Sequence, residues 1–294
     1  MLLTGASGFL GRLVLERLRA RGDEVVAVAR RLDPATVPPG VIQVAADLAG
    51  DDWPAWASGC SAAIHAAGVS PAVAATETEF DRAHRAVTAR VVAACRELGI
   101  RRLVAVSALG ARRDAPSPLH RSKWQAEELV RGSGLDWAIV RPGLMFGPGD
   151  PFTAAVAKAI GRPLPILLPG DGRTRFQPVA AVDVADGLIA CLDRPADEHL
   201  VLELGGPEPL TLDELFARCG RALGRRRGPF HFGAGTPGPL AALLEMLPTT
   251  PLSRVRLAAL GAGATCDPGP ARELLGVPRQ RFEGPVWLAG RRRT

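Results

Sequence analysis

Along the first half of the chain, short apolar runs alternate with longer stretches in which apolar residues return every third or fourth position. The runs Leu2 to Thr4, Glu24 to Ala29, Val41 to Ala45, Ala62 to His65, Leu103 to Ser107 and Asp136 to Val140 are mostly continuous in apolar character, which predicts parallel strands covered on both faces. Between them Leu10, Leu13, Val14 and Leu18 recur at helical spacing, as do Val87, Val91, Val92 and Cys95. The second of these helices is expected to run from about Thr76 to Leu98. Strand alternating with helix predicts βαβ units, hence an α/β fold with a Rossmann-type doubly wound parallel sheet.

From about Pro148 the texture changes: proline and glycine become frequent and the elements shorten. Residues 1–150 therefore read as the Rossmann-type core. Residues 151–294 read as a mixed C-terminal region that completes the sheet edge and forms a smaller lobe for a substrate or partner. Two helices are still legible there, "AAVDVADGLIACLDR" and "TLDELFARCGRAL". Thr211 is the expected N-cap of the second, with Glu214 completing a capping box.

The first strand and helix flank the stretch "LLTGASGFLG", with Gly5, Gly8 and Gly11 in register. A backbone that must turn tightly and approach a pyrophosphate needs glycine, because a Cβ would clash. The helix that follows offers free N–H groups and the positive end of its dipole. Strand, glycines and amphipathic helix together predict a dinucleotide site.

Charge changes this picture little. The net charge of +6 comes almost wholly from arginine, and the runs "GRRRG" at Gly224 to Gly228 and "RRRT" at the C-terminus read as solvated loop and tail, not as a nucleic-acid surface. The five cysteines are scattered without a C-x-x-C pair and the histidines lack ligand spacing, so neither a disulfide frame nor a metal site is expected. No apolar run approaches the ~20 residues of a membrane span, and "MLLTGASG" lacks the layout of a signal peptide, so a cytoplasmic protein is expected.

The G-x-x-G-x-x-G spacing after Thr4 resembles the short-chain dehydrogenase/reductase superfamily in its extended and atypical, epimerase/dehydratase-like branches. "ADL" at Ala46 to Leu48, "HAAG" at His65 to Gly68, "VSALGA" at Val106 to Ala111 and "RPGLMFGPGD" at Arg141 to Asp150 are similar to further landmarks of those branches. The resemblance implies cofactor contacts from Thr4, Gly5, Ser7, Gly8, Phe9, Leu10 and Gly11. It implies an adenine contact from Asp47 beside Leu48, and a turn under the ribose at Ala66, Ala67 and Gly68. It also implies a nicotinamide pocket bounded by Val106, Pro142, Gly143 and Leu144, with Ser107 in the place of the catalytic serine or threonine. "HRSKWQAEELVRGSGLDWAIVRPGLMFGPGD" and "FQPVAAVDVADGL" resemble the subgroup of the NADPH-binding accessory subunit of respiratory complex I and its bacterial relatives.

The second strand ends "VAVARR", with Arg30 and Arg31 and no acid. A guanidinium suits a 2′-phosphate, which favours NADP(H) over NAD(H), and Arg12, just after the last glycine, is a further candidate for that contact. Lys123 is one of two lysines in the chain and falls where the superfamily keeps the lysine of its Tyr-x-x-x-Lys pair, which holds the nicotinamide ribose. The tyrosine position is Leu119, and the chain contains no tyrosine. His120 is the alternative proton carrier, close to the same helix face.

Two functional readings follow. One is an NADP(H)-binding protein with weak or no oxidoreductase activity, serving as scaffold, subunit or sensor. The other is an active reductase, epimerase or dehydratase on a carbonyl or sugar-nucleotide substrate, using Ser107, His120 or a water as proton donor. Arg173 and Arg175 are candidate anion contacts, and both an oligomer and a protein partner are compatible with the sequence.

Overall fold

The computed structural model describes residues 1–31, 39–50, 57–70, 76–195, 198–232, 258–259 and 261–289. The C-terminal arginine run "RRRT" lies outside them. Six strands and their helices follow the expected order: β1 (Leu2–Thr4), α1 (Phe9–Ala20), β2 (Val25–Ala29), β3 (Val41–Ala45), β4 (Ala62–His65), α2 (Glu77–Asp81), α3 (Val87–Glu97), β5 (Arg102–Val106), α4 (Pro118–Arg131) and β6 (Asp136–Pro142). Then come β7 (Met145–Phe146), α5 (Pro151–Gly161), β8 (Leu167–Pro169), β9 (Arg175–Phe176), β10 (Val179–Ala180), α6 (Ala181–Leu192), β11 (Leu200–Leu204), β12 (Leu210–Thr211), α7 (Leu212–Ala222) and β13 (Phe230–Phe232).

The main sheet has seven strands in the order β3-β2-β1-β4-β5-β6-β11, all parallel. The chain winds outward from β1 in one direction, then crosses to β4 and winds in the other. This leaves a crevice at the carboxyl ends of β1 and β4, the place where such sheets take ligands. Val25 to Ala29 and Ala62 to His65 are buried along their whole length, which is why they read as continuous apolar runs. One face packs Leu10, Val14 and Leu18 of α1 with Val184 and Leu188 of α6. The other packs Val87, Val91 and Cys95 of α3 with Val130 of α4 and Trp137 of β6. A third cluster, around Ile160, Leu215, Phe216 and Phe282, builds the lobe beyond the sheet.

The long helix expected over residues 76–98 is present, capped by a Thr76–Glu79 box, but a π-helical turn at Arg82–Ala86 interrupts it. The Thr211–Glu214 capping box also forms. The "GRRRG" run is not merely a solvated loop. Arg227 donates to the carbonyls of Arg162 and, at 2.8 Å, of Leu164, and Arg225 to that of Gly161 at 3.4 Å. Cationic side chains thereby hold the C-terminal end of α5, where carbonyls lack helical partners.

Candidate dinucleotide site

The turn between β1 and α1 is backbone packed on backbone. Gly5 has φ +75°, and a side-chain carbon there would lie 2.6 Å from the Ala67 nitrogen. A carbon at Gly11 would lie 2.0 Å from the Gly5 oxygen, and one at Gly8 3.1 Å from it. The first two approaches are closed to any side chain. The Gly5 N–H donates to Val28 and the Gly8 N–H to Gly5, each at 2.9 Å. Gly8 is the N-cap of α1, whose first turn has neither a side-chain cap nor an acid. An uncapped, acid-free helix start behind a glycine cradle fits the pyrophosphate of a dinucleotide.

The other expected contacts gather around this turn. Ser7 and Phe9 are half-buried, while the Leu10 side chain belongs to the core and leaves only its backbone for a ligand. Phe9 also meets the loop after β7, since a carbon on Gly147 would stand 3.4 Å from its Cζ. Arg30 and Arg31 are exposed just past β2. Asp47, past β3, accepts from the Ala49 N–H and from Arg82, both at 3.1 Å, and Leu48 is buried beside it. Ala66 continues β4 by donating to the Thr4 carbonyl at 3.1 Å. Thr4 itself is buried, its hydroxyl 2.7 Å from Nδ1 of His65, whose Nε2 lies 3.0 Å from the Thr88 hydroxyl. Burial, reinforced by the Lys123 charge, pushes the His65 imidazole down to about 3, so it is neutral.

At the far end of the crevice, Lys123 donates from Nζ to the Val106 carbonyl at 2.9 Å. Burial lowers its ammonium to about 8, against the raising effect of Glu127. Leu119 stands one turn earlier on α4, half-buried. Ser107 is drawn elsewhere: its hydroxyl donates to Glu127 at 2.5 Å. Glu127, 2% exposed, also takes two bonds from Arg141 and one from Arg131, all at 2.7 Å. Four charge-assisted bonds satisfy that buried carboxylate and commit Ser107 to it. His120 is buried, with Nδ1 lacking a hydrogen-bond partner. Burial and, secondarily, Arg112 push it down to about 4, which leaves it neutral, with no imidazolium proton to give near neutral pH.

Pro142, Gly143 and Leu144 join the crevice to the lobe. The Pro142 carbonyl accepts from Leu109 at 2.8 Å, the Gly143 N–H donates to Leu204 at 2.9 Å, and the Leu144 carbonyl accepts from Val179 at 3.0 Å. A carbon on Gly143 would lie 2.4 Å from the Gln177 oxygen. Gln177 is buried and ties Gly206 to Cys266, with 2.8 Å bonds to each.

The crevice can therefore hold phosphates at one end and a ribose hydroxyl at the other, but the described residues bring no ready proton donor to the Leu119 position. Sequence reasoning missed Glu127, Gln177 and His84. A usable signal existed for His84, which lies four residues after Phe80 and four before Thr88, on the buried face of its helix. Among the described residues no group of acids, histidines and cysteines is placed to hold a metal, and no helix is long and apolar enough to cross a membrane.

A family model described as NAD(P)H-binding matches residues 5–195. The mitochondrial NADH dehydrogenase (ubiquinone) 1 alpha subcomplex subunit 9 of Arabidopsis thaliana is 32% identical over 226 residues, which cover 72% of this chain and 54% of that protein. The chain thus matches about half the length of that relative. A (4-alkanoyl-5-oxo-2,5-dihydrofuran-3-yl)methyl phosphate reductase of Streptomyces griseus is 31% identical over 298 residues, 96% of this chain and 95% of the reductase. Among solved structures, MoeE5 in complex with UDP-glucuronic acid and NAD shares the fold with a TM-score of 0.77 at 24% identity, covering 99% of this chain and 98% of that one. The UDP-glucuronic acid 4-epimerase of Bacillus cereus, with UDP-glucuronic acid and NAD, has a TM-score of 0.76 at 16% identity, over 96% and 95%.

Proposed function

The chain belongs to the NAD(P)H-binding family, and from that premise we propose that it binds NADP(H) and carries out little or no Tyr–Lys oxidoreductase chemistry. Its fold is that of extended short-chain dehydrogenases/reductases and of epimerases and dehydratases. The observation that carries the reading is the state of α4: Lys123 is held at the Val106 carbonyl while the position one turn before it is leucine. Bound NADPH would be the source of a hydride. The chain's own groups supply the cradle at Gly5 to Gly11, a cation for the ribose hydroxyls at Lys123, and a dry wall at Leu119. Loss of a general acid typically costs about 10²–10⁴-fold in rate. Arg30 and Arg31, exposed at the end of β2 with no acid beside them, support NADP(H) over NAD(H). The lobe after residue 150 would carry the substrate or partner surface, and the protein would work in the cytoplasm.

The second reading, a reductase, is favoured by the near full-length match to the Streptomyces enzyme. It requires a proton from water, from Ser107 released by Glu127, or from His120 protonated against its burial. Fluorescence titration with NADPH and NADH tests the first reading. Tight NADPH and much weaker NADH is the expected result; equal affinities would remove the argument from Arg30 and Arg31, and binding of neither would remove the cofactor reading altogether.

A further inference from the structure

His84 lies in the π-helical turn Arg82–Ala86, is 1% exposed, and meets Phe80 in a tilted ring contact, centroids 5.6 Å apart. Such turns insert an extra residue into a helix and recur at functional sites. Here the turn aims an imidazole at the point where the Gly68–Val69 segment meets α4. A side-chain carbon added to Gly68 would stand 3.1 Å from Cδ2 of His84, 3.2 Å from its Nε2 and 3.3 Å from Nζ of Lys123. Two side chains from two segments thus converge on one glycine.

Both ring nitrogens are engaged. Nδ1 is 2.8 Å from the Ser122 hydroxyl, and that hydroxyl donates its one hydrogen to the Leu119 carbonyl at 2.9 Å. Nδ1 must then be the donor toward Ser122, which leaves a lone pair on Nε2. Nε2 lies 3.1 Å from both the N–H and the carbonyl oxygen of Val69. With the lone pair there, it accepts from the N–H. The opposite tautomer would bond the carbonyl and orphan that N–H, and an orphaned N–H is the rarer fault in folded proteins. Burial, followed by the Lys123 charge, holds the ring well below its usual range, consistent with a neutral imidazole.

We propose that His84 is a positioning residue: as a neutral clamp it fastens the Gly68–Val69 turn to the helix that carries Lys123, and so sets the geometry of the pocket for the nicotinamide ribose. The clamp rests on the dinucleotide reading above. Ser122 immediately precedes Lys123, so a fixed Ser122–His84–Val69 chain fixes the spacing between lysine and turn. The adenine half, held by the glycine cradle and the end of β2, lies outside its reach.

Two measurements on the full chain test this. In ligand-free protein, His84→Phe keeps the ring volume and removes both bonds, so amide hydrogen exchange at Val69 should speed up at least about tenfold while Ile64 in β4 is unchanged. In titrations, His84→Phe should weaken NADPH about tenfold and leave adenosine 2′,5′-bisphosphate, which lacks the nicotinamide ribose, within about twofold. His84→Asn, able to serve Ser122 but too short for Val69, should show the same split and stands in if the phenylalanine variant does not fold. Unchanged Val69 exchange overturns the clamp, and so does equal weakening of the whole and the half ligand. If the unmodified protein bound neither ligand, the cofactor reading would fall and this proposal with it; a lost split in a protein that binds both would overturn the clamp alone.

Discussion

The two ends of the crevice are built on different principles. At the β1 end, geometry is a matter of backbone: Gly5, Ala67, Gly11 and Val28 touch main chain to main chain, and no side chain decides anything. At the α4 end, geometry is made by polar side chains in apolar surroundings: Lys123, His84, His65, Ser107 and Glu127. The first kind of site tolerates almost no substitution but performs no chemistry. The second can be retuned one residue at a time, and on the proposed reading Leu119 is such a change, which would make binding and turnover separable properties of a single cleft.

The largest effect should come from returning what the α4 end lacks. Leu119→Tyr should raise NADPH-dependent reduction of a small activated diketone by about 10²–10⁴-fold, followed by NADPH absorbance. No gain would mean that the pocket, not the missing acid, limits turnover. Next, at the backbone end, Gly11→Ala forces a carbon to within 2.0 Å of the Gly5 oxygen. It should cost about 3 kcal/mol in urea unfolding and abolish NADPH binding by fluorescence.

Lys123→Met should weaken NADPH by roughly 30-fold, or about 2 kcal/mol, yet raise the Tm of the ligand-free protein by a few degrees, because a half-buried, poorly solvated cation is removed. The sign of its pH dependence follows from the lowered amine. Between about 8 in the folded state and 10.5 unfolded, the unfolded chain binds the extra proton, so stability rises with pH across that window. Lys123→Met should abolish that rise in unfolding curves taken at pH 7, 9 and 10. The smallest effect belongs far from the crevice: Arg227→Ala, losing its bonds to the end of α5, should cost under about 1 kcal/mol and leave NADPH affinity unchanged.

The same contrast explains what could be read from the sequence. Six strands fall within a residue or two of their expected bounds, five of them because burial on both faces makes them nearly continuous apolar runs; β3, expected to be covered likewise, is instead the sheet's exposed edge, with Ile42 57% exposed. The glycine cradle was legible because its constraint is steric and local. The π-helical turn was not: one inserted residue leaves the apolar period intact on each side, so Phe80 and Val87 still read as a single helix. β11, "LVLEL", carries a glutamate paired across the sheet with Arg141 and offers too short a run to stand out. Ser107, expected as the last residue of its strand, sits just past β5, and the destination of its hydroxyl depends on Glu127. Glu127, one of two adjacent glutamates in "WQAEELVR", reads as solvent-facing until two arginines, one from another element, are seen to enclose it.

The seventh strand has a consequence for how this protein is made. β6 is complete at Pro142, but its neighbour β11 is not synthesised until Leu204, after the chain has gone out through α5 and the small strands and come back along α6. Until then a nascent chain presents β6 as a bare edge, with Ile139 and Val140 beside unpaired N–H and carbonyl groups. At ordinary ribosome speeds of about 5–20 residues per second, that edge stays open for several seconds. The vulnerable period of this molecule is thus set by the order in which its strands leave the ribosome, and a chain cut short before Leu204 would be a substrate for chaperones and not a smaller version of the protein.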